Sequence, residues 1–327
     1  MIDEREIHSL VKLLDDPDLE ISSLIEQKLM SYGGVVVPFL ENEWETCFDA
    51  LLQQKLENLI SRIQFDVVKK ELTTWYANEG EDLLDGVFLI AKFKYPELDK
   101  QTLSNQIDKI KLDAWLELNY DLSSLEKTKI LNHVIYDLYG FQSNTQNYHS
   151  PNNSFINQVL ESRRGNPVSL SVVYQLVAQR LNIPIYGVNL PQHFVLAYRD
   201  DSGLETVHSI HDTVDLDNLN RGTILFYINA FNHGAVLSLS NLEQFVKQLN
   251  LELDPNYFIP CSNIDIVKRM LRNLLFSYNQ NKDTRNEHDV KQMLNILGEP
   301  DISAFGHSSG QEGDDEEREE EGGEEEE

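Results

Sequence analysis

Residues 163–198 read RRGNPVSLSVVYQLVAQRLNIPIYGVNLPQHFVLAY, and this stretch determines the fold class. The triplet Gly165–Pro167 predicts a tight turn that leads into a helix, because proline is favoured at the first helical position. The helix is expected to run from about 168 to 181. Two short strands, IPIYGVNL and HFVLAY, follow it and are joined by a turn at Pro191 and Gln192. A helix followed directly by paired strands indicates an α+β core.

Two polar residues in this stretch are candidate site residues. Ser169 lies four residues before Val173, so helical spacing places it in the first turn, on the side that carries the apolar stripe. It is therefore expected to point inward, at the positive end of the helix dipole. His193 opens the second strand and shares one face with Val195 and Ala197. The stripe that we expect to face the core consists of Val172, Val173, Leu176 and Val177.

Upstream, residues 1–145 show helical periodicity and few strand signals, which predicts a helical N-terminal subdomain. Within it, the segment 7–45 has two amphipathic stretches, broken at Asp15–Pro17 and ended at Gly33–Gly34. This helix–turn–helix resembles a single HEAT-type hairpin. The aromatic residues of these helices that we expect in the core are Trp75, Phe88, Trp115 and Tyr136.

Downstream, the Asn- and Ser-rich segment 141–154 predicts a loop, and the alternating runs beyond residue 198 predict further antiparallel strands. We therefore expect an α+β core at 146–245, with one helix packed on a small antiparallel sheet. Residues 246–300 return to helical periodicity, with two segments that are candidates for a tetratricopeptide-like hairpin. The remaining residues, 301–327, form an acidic tail.

The formal net charge of −28 excludes several classes of partner. The tail segment 311–327 contributes −11 of this charge, from twelve acidic residues and one arginine, and the rest of the chain keeps −17. Such a surface repels phosphate, so binding to nucleic acid or to an anionic membrane is not expected. The tail has nothing apolar to bury and is expected to be disordered, as a solubilising terminus or as an arm for a basic partner.

Cysteine content and hydropathy indicate a soluble, cytoplasmic protein. Cys47 and Cys261 are the only cysteines and are far apart in the chain, which gives neither a disulfide framework nor a thiolate zinc site. The first residues are charged, unlike a signal peptide, and no apolar run approaches the roughly 18 residues of a membrane span. No Gly-rich phosphate loop or dinucleotide fingerprint occurs, so no cofactor is expected.

Three blocks in order, RRGNPVSLSVVY, NIPIYGVNLPQHFVLAY and FYINAFNHGAVLS, resemble the transglutaminase-like superfamily of papain-type fold. More narrowly they resemble its SirB-family branch, whose domain is commonly followed by tetratricopeptide-type helices. In catalytic members the three key positions hold cysteine, histidine and aspartate. The resemblance places them at Ser169, His193 and Asn229. Gln192 also departs from the glycine that usually precedes the histidine.

Two departures from the catalytic triad, serine in place of cysteine and asparagine in place of aspartate, together weaken catalysis more than either would alone. A cysteine at a helix N-terminus can ionise in advance and can work with asparagine as the third member. A serine must instead pass its proton to the histidine, and the resulting imidazolium then needs a carboxylate. Replacing that carboxylate by an amide in a serine protease lowers the rate about 10⁴-fold, which is roughly 5 kcal/mol. Ser169 with Asn229 is therefore a poor catalytic pairing.

We consequently expect a catalytically degenerate protein that binds a protein or peptide partner in a regulatory role, with Arg164, Asn166 and Gln192 lining its cleft. The alternative is a serine-dependent amidase, peptidase or acyl transferase that uses Ser169, His193 and Asn229, with backbone N–H groups near Ser169 and Gln192 as an oxyanion site. A third hypothesis is a helical adaptor in which the core is only a spacer.

Two further groups of polar residues were candidates. Arg163 and Arg164 either bind a carboxylate of a peptide partner or form a solvated pair that bridges to nearby acids. The run HSIHD (208–212) brings two histidines and an aspartate together, but in a strand His208 and His211 point to opposite faces. No glutamate follows at a hydrolytic-zinc spacing, so we expect no metal site.

Overall fold

The computed structural model describes residues 4–200 and 223–299, and over these residues the fold is α+β, as predicted. The α-helices are α1 (Glu4–Leu14), α2 (Leu19–Ser31), α3 (Val37–Thr46), α4 (Ala50–Ala77), α5 (Leu83–Lys94), α6 (Lys100–Glu117), α7 (Ser124–Asn132), α8 (Ile156–Ser162), α9 (Pro167–Arg180), α10 (Leu239–Gln248), α11 (Asn263–Gln280) and α12 (Thr284–Ile296). The strands are β1 (Gln142–Ser143), β2 (Arg164–Gly165), β3 (Ile185–Val188), β4 (Val195–Asp200), β5 (Thr223–Asn229) and β6 (Ala235–Leu237). The run HSIHD and the acidic tail lie outside the described residues.

The N-terminal helices begin and end where the sequence predicted. Asp18 caps α2 by accepting a hydrogen bond from the backbone N–H of Glu20, and Asp49 caps α4 in the same way. A 3₁₀ turn at Gly33–Val36 connects α2 to α3, and the positive φ of Gly33, +65°, is readily adopted only by glycine. The break at Asp15–Pro17 and the stop at Gly33–Gly34 are therefore both observed.

The main sheet is antiparallel and has the strand order β3-β4-β5-β6. Each strand pairs with its sequence neighbour, so Leu196 in the middle of β4 lies opposite Gly187 on one side and Ile228 on the other. A separate short parallel pair, β1 with β2, holds the chain just before α9. β4 begins at Val195, and His193 thus lies in the turn before the strand rather than at its first position.

Helix α9 is the central element, and its burial differs from the expected single stripe. Every residue from Pro167 to Ala178 is buried, including Ser169, Ser171 and Gln175. The helix lies between the sheet and the helices α6 and α8, so it has no face left for solvent. Its sequence reads as amphipathic because small polar residues occupy part of its circumference, but these residues are also packed.

Three apolar clusters hold the described residues together. The largest extends from Val68 in α4 to Leu297 after α12 and includes α9 and the inner face of the sheet. A second, from Ile7 to Ile63, joins α1, α2 and α3 to the first half of α4. A third lies behind β4 and packs on α10.

The predicted aromatic core was correct except at one position. Trp75 and Tyr136 are buried and Phe88 is partly buried, but Trp115 is 58% exposed. Trp115 lies in the last turn of α6 beside the exposed Leu116, on the side of the helix away from the buried Ala114. Over residues 4–200 and 223–299, no helix is long and apolar enough to span a membrane.

Candidate functional site

The start of α9 is a closed hydrogen-bonded cap that contains Ser169. The Asn166 side chain accepts the Ser169 backbone N–H at 2.9 Å, and the Ser169 Oγ accepts the Asn166 backbone N–H at 3.0 Å. This reciprocal arrangement is a capping box, and it satisfies two otherwise unpaired donors. Gly165 permits it, since a Cβ at that position would lie 2.5 Å from Ser169 Oγ.

The Ser169 hydroxyl group is fully committed to this cap. Its proton can be donated to the Asn166 carbonyl at 3.3 Å, and the residue is 0% exposed. Within the part of the chain that the structure describes, all hydrogen bonds of the Ser169 hydroxyl are with Asn166. The predicted inward direction of Ser169 is therefore observed, but its neighbour is the helix cap and not an imidazole.

His193 and Asn229 are brought together, although no serine completes the set. The Asn229 side chain lies close enough to the partly buried His193 ring to raise its pKa. Asn229 also caps a 3₁₀ turn after β5, where its Oδ1 accepts the N–H groups of Phe231 and Asn232 at 3.1 and 3.2 Å. Asn229, which the resemblance assigns to the third triad position, thus lies beside His193, which it assigns to the second.

The backbone before His193 explains the unusual Gln192. Gln192 has a φ of +56°, in the left-handed region that favours glycine. The glycine that the resemblance leads us to expect here would adopt this turn without strain. Gln192 adopts the turn with an exposed side chain.

The electrostatic environment of His193 disfavours its charged form. Burial lowers the pKa of His193 below its ordinary value, and the nearby charge of Arg269 lowers it further, whereas the hydrogen bond with Asn229 raises it. An imidazolium formed by proton transfer from a nucleophile would meet a guanidinium and a neutral amide. His193 is therefore suited to hydrogen bonding as a neutral ring.

Arg269 is a site residue that we did not predict from the sequence. It lies in α11, and its Nη1 donates to the Leu190 carbonyl at 3.4 Å and to Asn189 Oδ1 at 3.3 Å. The backbone N–H of His193 donates to the same Leu190 carbonyl at 3.3 Å. The sequence signal that could have indicated Arg269 is the group of three cations in KRMLR (268–272). Such a group stands out because the chain has 55 acidic residues and only 27 basic ones.

Four aromatic side chains lie in ring contact beside these residues, and we call them the aromatic strip: Phe231, Tyr148, His149 and Phe276. The ring centroids of Tyr148 and Phe231 are 6.0 Å apart, and those of His149 and Phe276 are 5.2 Å apart. Tyr148 and His149 are exposed, and the two phenylalanines are partly exposed. Partly exposed aromatic residues offer apolar contact area together with polar groups, as recognition surfaces do.

The other predicted cleft residues have different positions. Arg164 is exposed in β2, and Asn166 is buried in the α9 cap, where its side-chain nitrogen also donates to Ser154 Oγ at 3.3 Å. Arg163 covers the rings of Phe141 and Tyr139, at 4.9 and 5.4 Å from their centroids. Whether Arg163 and Arg164 bind a carboxylate stays a prediction; one of the two side chains stacks on aromatic rings and the other is exposed.

The buried thiol of Cys261 lies near the Asn189 backbone. Burial raises the pKa of Cys261 to about 12, so this thiol is protonated at neutral pH. A cavity of about 480 Å³ lies between α6 and α8, with Gln106 and Asn157 in its wall.

Among the residues described, no three histidine, cysteine or acidic side chains are grouped to hold a metal ion. The run HSIHD, where we expected no metal site, lies outside the described residues.

The chain resembles known proteins over the region that contains this site. The family model described as the transglutaminase-like superfamily matches residues 101–272, more than half of the chain. A UPF0162 protein of Xylella fastidiosa (strain 9a5c) is 28% identical over 229 residues, which is 67% of this chain and 73% of the relative. The protein of strain Temecula1 is 35% identical over 129 residues, 39% of this chain and 45% of its own length.

A relative from another kingdom covers a shorter region. The F-box only protein 21 of Homo sapiens is 31% identical over 118 residues, which is 36% of this chain and 17% of that protein. No solved structure matches the chain.

Proposed function

The chain belongs to the transglutaminase-like superfamily, and on that premise we propose that it is a catalytically degenerate member that binds a peptide or protein segment in a regulatory role. The observation that carries the proposal is the commitment of the Ser169 hydroxyl to the α9 cap. A nucleophilic serine needs a base within hydrogen-bonding distance of its Oγ. In the part of the chain described, the Ser169 hydroxyl forms its hydrogen bonds with Asn166, whereas the side chain that lies beside the His193 ring is that of Asn229.

Electrostatics supports the same proposal. Serine catalysis makes an imidazolium, but burial and Arg269 both disfavour the charged form of His193. Asn229 adds a neutral amide where a carboxylate would stabilise that charge by several kcal/mol, roughly 5 on the serine protease scale. The cleft residues therefore oppose proton transfer and leave hydrogen bonding available.

The aromatic strip supports binding as the retained function. Its members come from three separate parts of the chain: Tyr148 and His149 precede α8, Phe231 follows β5, and Phe276 lies in α11. They meet beside Asn229, at the end of β5, and beside α11, which carries Arg269. A continuous, partly exposed aromatic surface next to hydrogen-bonding groups is suited to an extended peptide.

The test is a selection of peptides from a random display library on the purified chain, followed by fluorescence anisotropy on the selected peptides. We expect Tyr148→Ala and Phe231→Ala to weaken binding at least about tenfold, the loss of about 1.4 kcal/mol or more typical of an aromatic contact. Trp115→Ala is the matched control, because Trp115 is an exposed aromatic residue of α6 outside the strip, and it should leave the affinity unchanged.

Either of two results contradicts the proposal. One is a selection without enriched peptides, or with peptides whose affinity is insensitive to the strip. The other is cleavage or modification of the bound peptides, detected by mass spectrometry after long incubation, because a degenerate site should return them intact.

A further inference from the structure

Arg269 is a partly buried cation held by neutral acceptors. Its two hydrogen bonds go to the Asn189 side chain and the Leu190 carbonyl, at 3.3 and 3.4 Å, both near the long limit for such bonds. A guanidinium has five N–H donors, so most of its donor capacity is unused by these contacts. Burial lowers the pKa of Arg269, and the charge of Arg272 lowers it further.

The neighbouring cations of the same helix lie beside a carboxylate, and within the described residues Arg269 does not. Arg272 pairs with Glu299, and Lys268 lies 3.9 Å from the same carboxylate. Among residues 4–200 and 223–299, Arg269 makes no ion pair with a carboxylate.

An unpaired guanidinium that is partly withdrawn from water is costly, and a carboxylate that fits its planar fork offsets the cost. Arg269 shares the Leu190 carbonyl with the His193 backbone, so an anion on its free donors would lie at the His193 cleft. Tyr148 of the aromatic strip is also close enough to affect the pKa of Arg269. Arg269 carries one positive charge, so a single ligand carboxylate would neutralise it.

We propose that Arg269 is the anchor for a carboxylate group of the ligand in the His193 cleft. The inference rests on the proposed function and specifies its ligand as a peptide that carries a free C-terminal carboxylate or an acidic side chain. Bidentate N–H···O bonds from Arg269 would fix the position of the carboxylate. The peptide would then run along the aromatic strip, with neutral His193 and Asn229 as further hydrogen-bonding groups.

The test follows the His193 ring protons by NMR while small probes are titrated in. N-acetylglycine presents a terminal carboxylate, N-acetylaspartate α-amide presents a side-chain carboxylate, and N-acetylglycinamide is the neutral match for the first. The chain has nine histidines, so the His193 signal is assigned by its absence from the His193→Gln spectrum. A bound carboxylate neutralises Arg269, which should raise the pKa of His193 in a saturable manner.

We expect one or both acids to produce this shift and the neutral amide to produce none; which acid acts identifies the source of the carboxylate. In Arg269→Gln the pKa of His193 should already be higher without a probe, and the affinity for the acid should fall at least tenfold. Arg272→Gln is the matched control, one turn along α11 and already paired with Glu299, and should keep the response.

The inference is overturned if acids and amide act alike on the wild-type chain, a comparison that needs no variant to fold. It is also overturned if Arg269→Gln keeps the response to the acid. Neither result affects the proposed function, which fails separately if display-selected peptides are insensitive to the aromatic strip.

Discussion

Ser169 shows how the same residue position can serve chemistry or structure. In the catalytic relatives implied by the resemblance, the first turn of this helix carries a nucleophile. Here the hydroxyl accepts the Asn166 N–H and closes a capping box at a fully buried helix start. The capping role alone is enough to explain a serine at this position.

Replacing Ser169 by alanine should therefore destabilise the fold. The change removes the acceptor of the buried Asn166 N–H, which we expect to cost about 1 to 3 kcal/mol of unfolding free energy. Ser171→Ala is the control, because Ser171 Oγ donates to a helix carbonyl of Pro167 and accepts no N–H that would be left unpaired. Urea unfolding should show a clearly larger loss for Ser169→Ala, and equal losses would contradict the capping role.

The lowered pKa of His193 predicts a pH dependence of stability. Since the folded pKa lies below the unfolded value of about 6.5, the unfolded chain binds the proton first as the pH falls. The wild-type chain should therefore lose unfolding free energy between about pH 6.5 and the lower folded pKa, and His193→Gln should lose less over that range. Unfolding curves at several pH values test this, and a steeper loss in His193→Gln would refute it.

The position of these residues was predictable, but their contacts were not. The helix start at Pro167 and the first-turn position of Ser169 follow from local sequence, and the structure places both as expected, although Gly165 ends the short strand β2 rather than opening a tight turn. Arg269 lies 76 residues after His193 in sequence, and the partner of a side chain at such a separation depends on how α11 packs, which periodicity does not reveal. The pairing of His193 with Asn229 came only from the resemblance.

At the scale of elements, the turn after β5 fixes where Asn229 lies. Asn132 Nδ2 donates to the Gly234 carbonyl at 2.9 Å, and the Tyr174 hydroxyl donates to Asn132 Oδ1 at 2.9 Å. Tyr136 adds a bond to the Ala230 carbonyl at 2.9 Å. These bonds tie the β5–β6 turn to α7 and α9, so the His193–Asn229 contact depends on three elements.

Gly234 is the position at which this connection is most sensitive. Its φ is +69°, and an added Cβ would lie 2.0 Å from Asn132 Oδ1. Gly140 has a similar φ of +71° but no atom within 4 Å of an added Cβ. Gly140→Ala should cost only the left-handed strain of about 1 kcal/mol.

Gly234→Ala should cost more than Gly140→Ala, because it must also displace Asn132 and break its bonds. Thermal or urea unfolding of the two variants measures the difference. NMR of the Gly234→Ala variant should in addition show displaced His193 ring signals. Equal destabilisation by the two substitutions would show that Asn132 does not hold the turn.

The elements themselves were predicted well where local signals are strong. Helix caps, proline positions and glycine stops located the end of α1, the bounds of α9 and the end of α2 within one or two residues of those observed, whereas α1 begins three residues earlier than expected. The exposure of Trp115 and the all-round burial of α9 were missed, because both depend on which elements surround a helix. β4 begins two residues after His193 because the chain makes a left-handed turn at Gln192. Without a glycine at that position, the sequence gives only a weak signal for such a turn.

At the scale of the whole molecule, the apolar clusters cross the predicted unit boundaries. The cluster that contains α9 also contains residues of α4 to α7 and of α11 and α12, on both sides of positions 145 and 245. The first helices have a cluster of their own, which ends at Ile63 in the middle of α4. The division at 1–145, 146–245 and 246–300 stays a prediction, and these clusters indicate how the chain should respond to core damage.

Substituting one equally buried leucine in each of two clusters should show whether the clusters lose stability independently. Leu29 in α2 and Leu196 in β4 are both 0% exposed, and loss of either side chain should cost about 2 to 5 kcal/mol locally. Native-state hydrogen exchange should show Leu29→Ala weakening protection in α1 to α3 while β4 and α9 keep theirs. Leu196→Ala should weaken protection from exchange in α6, α9 and α11 together. Equal loss of protection throughout the chain in both variants would contradict the division into clusters.

The central claim is that the transglutaminase-like cleft is retained for binding and that its serine is not a nucleophile. The most direct measurement is labelling of the purified chain with a fluorophosphonate probe, mapped by peptide mass spectrometry, with Ser169→Ala and His193→Ala as controls and a known serine hydrolase as the positive reference. We predict no labelling at Ser169, because its hydroxyl is buried in the cap and lacks a base. Labelling at Ser169 that disappears in His193→Ala would contradict the account and identify a working serine enzyme.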